Sequence, residues 1–169
     1  SAITRGLKAL GVDLGDNLLD AADGDNAKGF WEDLDILGFN ERLLSKAHSS
    51  WQKLAPLDGV DFDGPAYALE RQKAAELLVK KLQPGVVFGF KDPRTAVLLP
   101  FWRCVFEDLE LDVRYLITVR NPLEAAASLQ KRGGLPMLKG TTLWAKHMIE
   151  AVRETAGDPR VFVAFDQLI

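Results

Sequence analysis

The sequence predicts an α/β fold of three layers, with a mostly parallel sheet flanked by helices. Two observations carry that expectation. Three short runs, 86–90, 115–119 and 161–165, are almost continuously apolar, the pattern of strands covered on both faces. Helix-like segments separate them, at about 95–109, 122–132 and 141–156, and a crossover helix is the usual link between parallel strands. A length of 169 residues suits a single domain spanning the chain.

The remaining elements follow in order. Ile3, Leu7 and Leu10 mark one face of an opening helix that Gly11 stops. A loop rich in Gly, Asp and Asn runs to about Gly29, and a second helix is expected over 33–47. Pro56, Gly59 and Gly64 break the stretch 49–64. Pro65 suits the first turn of a third helix, whose apolar face is Ala74, Leu77, Leu78 and Leu82 and whose end carries Lys80 and Lys81.

Composition bounds the function. The chain is 47% hydrophobic and 27% charged, with a net charge of -3 and both signs mixed along its length. That is ordinary for a globular protein and lacks the basic stripe of a nucleic-acid binder. One cysteine, Cys104, allows no internal disulfide and sits in an apolar stretch as a small packing residue. Two histidines, His48 and His147, and one cysteine do not make a structural zinc site, so no metal is expected. His147 neighbours the apolar face Trp144, Met148, Ala151 and Val152, which points to helix packing. No segment reads as a signal peptide or a membrane span, so the expectation is a cytoplasmic protein. The chain opens on Ser1 without an initiator Met and stops just after a strand-like run, so it is expected to be incomplete at both ends.

Three polar segments gather where strands end. In Val119-Arg120-Asn121-Pro122-Leu123-Glu124 a strand ends and a helix begins, with Asn121 as N-cap, Pro122 in the first helical position and Glu124 three residues after the cap. Ser128 lies seven residues after Asn121, close to two helical turns. Arg120 and Ser128 can therefore face one crevice at the carboxyl edge of the sheet, where open α/β folds bind ligands. A guanidinium and a hydroxyl suit a phosphate there; a surface ion pair and a Ser bonded back into its own helix are the plain alternative. The second segment is Asn26-Ala27-Lys28-Gly29-Phe30-Trp31-Glu32, and the third is Phe88-Gly89-Phe90-Lys91-Asp92-Pro93-Arg94-Thr95. Pro93 holds Asp92 extended, so no helix starts at that residue.

These segments resemble, in order and spacing, the sulfotransferases that use 3′-phosphoadenosine 5′-phosphosulfate (PAPS), in their bacterial form. An Arg at a strand end with Asn-Pro after it and a Ser eight residues on is similar to that family's 3′-phosphate-binding segment, which assigns Arg120 and Ser128 to the cofactor. Gly29-Phe30-Trp31-Glu32 resembles the family's Gly-Phe-x-Glu loop, which makes Glu32 the base that takes the acceptor's proton. Lys91-Asp92-Pro93-Arg94 resembles a Lys-x-Pro-Arg segment on the acceptor side. There Lys91 would neutralise charge on the bridging oxygen, Asp92 is a rival base, and Arg94 would orient the acceptor or stabilise the loop.

The resemblance implies a P-loop nucleotide-binding type of fold whose first strand and phosphosulfate loop are missing here, with Ser1 as the last residue of that loop. It implies a small-molecule, carbohydrate or lipid acceptor, with a hydroxyl or amine as the nucleophile. Two alternatives stay open: a small-molecule or nucleotide kinase of the same fold class, and a sulfotransferase-like binding module without catalysis. The four tryptophans, Trp31, Trp51, Trp102 and Trp144, are expected as core or loop anchors.

Overall fold

The computed structural model describes residues 2–20 and 29–165. In chain order these form α1 (Ala2–Ala9), α2 (Leu34–Lys46), a 3-10 turn (Pro65–Tyr67), α3 (Ala68–Lys81), α4 (Thr95–Asp108), β1 (Tyr115–Val119), α5 (Pro122–Gly133), α6 (Met137–Glu154) and β2 (Arg160–Ala164). Strand β1 pairs with β2 in parallel, from Tyr115 opposite Arg160 to Val119 opposite Ala164. Helices α5 and α6 make the crossover between them. The architecture is a mixed one, a small two-stranded parallel sheet flanked by helices.

Local chemistry sets several boundaries. Asp33 caps α2, its carboxylate accepting from the amides of Asp35 and Ile36 at 3.0 and 3.1 Å. Asn121 caps α5 by accepting from Leu123 N at 2.9 Å, with Pro122 in the first helical position. Gly134 ends α5 in the left-handed conformation, at φ 68°.

The core is built around α4. Leu98, Phe101, Trp102 and Val105 are completely buried there, and they meet Ile36, Phe39, Leu43 and Leu44 of α2 and Ala74 and Leu78 of α3. Trp102 is ringed by Phe39, Phe90, Phe101 and Phe106, with centroids 5.3 to 6.0 Å away, separations at which aromatic pairs add to simple burial.

Three expectations change. Residues 86–90 are extended but form no strand. A single parallel bridge joins Phe88 to Asp13, made by Asp13 N to Val87 O at 2.9 Å and Gly89 N to Asp13 O at 2.8 Å. Among the described residues no ladder extends it. Val86 and Val87 are 41% and 69% exposed, while Phe88 and Phe90 pack on the core, so the run is not covered on both faces. Helix α6 starts at Met137, four residues before the expected Thr141, because Gly140 serves packing and not helix termination. A Cβ at 140 would lie 2.9 Å from the Ala126 Cβ, so the glycine lets α6 approach α5. In α1 the buried residue is Thr4, and Leu10 is 82% exposed beyond the helix end. Among the described residues no helix is long and apolar enough to cross a membrane.

Candidate functional site

Two short pairings carry Glu32 to its position. Asp13 bridges to the 87–89 segment, and its carboxylate accepts from Gly15 N at 2.9 Å, turning the chain. The 17–19 segment then pairs antiparallel with 32–34, through Leu19 N to Glu32 O and Leu34 N to Asn17 O, both 2.8 Å. Gly15 is required at that turn: its φ is 87°, and a Cβ there would fall 2.4 Å from Asp33 Oδ2. Asp33 is itself pinned by Lys81 at 2.7 Å, with side chains 0% and 8% exposed. Burial opposes the Lys81 charge, but its bonds to Asp33 and Asp35 outweigh that and hold the ammonium above its ordinary range. Trp31, just before Glu32, has φ 62° and carries the Lys8 ammonium 5.3 Å from its ring centroid.

Lys91 leaves the 87–89 bridge toward this loop, and its Nζ lies 2.5 Å from Glu32 Oε1. The Glu32 side chain is 10% exposed and that of Lys91 33%. A mostly buried carboxylate is thus matched by a cation that still meets solvent, a charge-assisted contact between two motifs.

Asp92 points the other way, into the core. Its Oδ2 accepts from Asn40 Nδ2 at 2.9 Å, and its Oδ1 accepts from Arg94 N at 3.0 Å and from the Arg94 guanidinium at 2.9 Å. Asn40 in turn accepts from Trp102 Nε1 at 2.9 Å. With its side chain 1% exposed and both oxygens engaged, Asp92 fixes the turn that starts α4. Arg94 also reaches Glu41 at 2.8 Å. Burial works against its charge, yet the two carboxylates raise its pKa. Its Nε–H is buried and meets no acceptor among the described residues. Geometrically, Asp92 and Arg94 support the loop on which Lys91 stands.

Arg120 lies at the carboxyl end of β1, where its Nε contacts Glu124 at 3.4 Å and its guanidinium lies 5.2 Å from the Phe165 ring centroid. The long, half-exposed contact leaves its terminal nitrogens without a hydrogen-bond partner among the described residues. Ser128 is half-buried on α5, and among the described residues its hydroxyl makes no hydrogen bond. Other helix hydroxyls behave differently, since Thr141, Thr142 and Thr155 all bond back to carbonyls one turn earlier. No hydrogen bond joins Arg120 to Ser128. Ser1 lies outside the described residues.

The structure therefore brings Glu32 to Lys91 and Asp92 to Arg94, and leaves Arg120 and Ser128 with donors to spare. Two clefts are present elsewhere, one between α2 and α3 and one near Tyr115 at the amino end of β1, and neither is lined by these residues. Among the described residues no group of three or more His, Cys, Asp or Glu side chains is arranged to hold a metal. Cys104 is half-buried, bonds to the Pro100 carbonyl at 3.2 Å, and burial raises its thiol pKa, which disfavours the thiolate.

Sequence reasoning passed over Asn40. Asn40 is completely buried in the apolar stripe of α2, between Phe39 and Leu43, and a polar residue at a core position was the signal for it. His147 bonds through Nδ1 to the Leu143 carbonyl at 2.8 Å, as expected of a packing residue. Burial lowers its pKa, and the Asp92 charge acts weakly in the opposite direction. No protein-family model, curated protein or solved structure matches this chain.

Proposed function

We propose that this chain is the central part of a PAPS-dependent sulfotransferase domain, a three-layer α/β fold of the P-loop type, transferring a sulfuryl group to an acceptor hydroxyl or amine. The observation that carries the reading is the Glu32–Lys91 pair. The two residues belong to separate motifs and were assigned separate parts of one transfer, yet their charged atoms lie 2.5 Å apart. Arg120 and Ser128 add support. A guanidinium with open terminal nitrogens beside a helix with a spare hydroxyl is a donor set that fits a phosphate.

In this scheme PAPS supplies the activated sulfuryl group. Arg120 and Ser128 hold its 3′-phosphate. Glu32, beside Lys91, would accept the proton that the acceptor hydroxyl or amine loses. Lys91, next to Glu32, would stabilise the negative charge on the bridging oxygen of the leaving group. Asp92, Arg94 and Asn40 act by holding Lys91 in place. Positioning and charge stabilisation then provide most of the rate.

Calorimetric titration with 3′-phosphoadenosine 5′-phosphate tests the assignment. Binding that weakens strongly when the 3′-phosphate is absent, as in adenosine 5′-monophosphate, is expected. Equal affinity for the two nucleotides, or none for either, would overturn it.

A further inference from the structure

Helices α2 and α3 lie side by side and antiparallel, clamped at both ends. At one end Lys46 of α2 pairs with Glu70 of α3 at 2.5 Å. At the other, Lys81 of α3 pairs with Asp33 and Asp35 at 2.7 and 2.8 Å. Between the clamps runs an open groove of about 590 Å³, along helices of 13 and 14 residues, or roughly 20 Å. Leu34 and Leu77 offer apolar surface there, above the buried Phe39 and Leu43.

The rims are basic. Arg42 and Lys46 line the α2 side, and Lys73 and Lys80 the α3 side, against only Asp35 and Glu70. Both acids are already engaged. The bond from Lys81, helped by Asn17, holds the Asp35 carboxyl below its ordinary range, and Lys46 does the same for Glu70. Arg42, Lys73 and Lys80 lie within 4.0 Å of no carboxylate among the described residues. Such a strip stands out on a chain whose net charge is -3.

We propose that this groove docks an acidic amphipathic helix of a partner protein. Its apolar stripe would lie on Leu34 and Leu77, and carboxylates flanking that stripe would meet Arg42 on one side and Lys73 and Lys80 on the other. The spread of charge favours this occupant over a single-headed amphiphile. Lys73 and Lys80 are seven residues apart, about 10 Å along α3, and Arg42 stands on the opposite rim, whereas one anionic head needs its cations gathered at one end. The docking is independent of the transfer chemistry proposed above.

The test uses a fluorescein-labelled helical peptide with Leu at i, i+3, i+4 and i+7 and Glu on both flanks, followed by anisotropy. Specific binding that weakens with added salt is expected, with a loss of about tenfold or more in the Arg42→Glu/Lys73→Glu double variant. The charge-preserving Arg42→Lys/Lys73→Arg variant should stay within about threefold of the parent, and circular dichroism should find all three folded. Equal binding of a scrambled peptide of the same composition, or indifference to charge reversal, would overturn the proposal. So would failure of the peptide to displace bound oleate or anionic vesicles that do occupy the groove.

Discussion

Lys91 Nζ lies 2.5 Å from Glu32 Oε1 across 59 residues of chain, and nothing in the local sequence of either residue names the other as partner. One end of the contact comes from the extended 87–89 segment and the other from the short pairing of 17–19 with 32–34. If the pair is the proton-accepting centre, Glu32→Gln keeps the shape and removes the base. Transfer from PAPS is then expected to fall about 100-fold or more, with the affinity for 3′-phosphoadenosine 5′-phosphate unchanged. An unaltered rate would remove Glu32 from the chemistry.

The Trp102–Asn40–Asp92 chain is a stability device in the same loop. Asn40→Ala strips a partner from a buried carboxylate and from a buried indole N–H together. A loss of about 2–5 kcal/mol in urea denaturation is expected, since neither group can reach water without opening the core. A loss below about 1 kcal/mol would mean the network is solvated and not structural.

Asp33 joins a helix cap to a buried ion pair. Asp33→Ala takes from Lys81 its buried partner, leaving only the half-exposed Asp35, and frees two amides at the start of α2, so the expected loss is about 2–4 kcal/mol. Gly15→Ala should destabilise through the same carboxylate, which a new Cβ would meet at 2.4 Å at a φ of 87°, by about 1–3 kcal/mol. Comparable chemical-denaturation midpoints for parent and Gly15→Ala would contradict the packing described.

His147 gives a pH signature. Its pKa is lowered by burial from the ordinary 6.5, so the unfolded chain binds a proton that the folded chain resists. Stability is therefore full above about 6.5 and falls as pH drops below that value toward the folded pKa. Glu150 has the opposite sign, because burial raises its carboxyl, which makes subtraction necessary. The difference in unfolding free energy between pH 7 and about pH 5.5 should be smaller in His147→Gln than in the parent, and an identical difference would exclude the histidine as its source.

Legibility in the sequence followed the range of the interactions. The cap at Asn121 and the prolines at 65 and 122 act within one helical turn and were readable. Residues 86–90 were not, because an apolar run becomes a strand only when neighbouring backbone completes its hydrogen bonds, and among the described residues Asp13 alone bridges to it. The early start of α6 was not readable either, because the close approach of Gly140 to Ala126 leaves no local mark. The partners of Asp92 stand far away in sequence, Asn40 being 52 residues distant, so its location among polar motif residues suggested chemistry where the geometry gives support. The α2–α3 groove depends on the relative placement of two helices and had no signature in either one alone.

The central claim is that the carboxyl end of β1 grips a 3′-phosphate, and the Arg120→Ala variant tests it most directly. Isothermal titration should find that the variant loses most of the preference for 3′-phosphoadenosine 5′-phosphate over adenosine 5′-monophosphate, while affinity for the monophosphate stays close to that of the parent. A preference that survives removal of the Arg120 guanidinium would contradict the account.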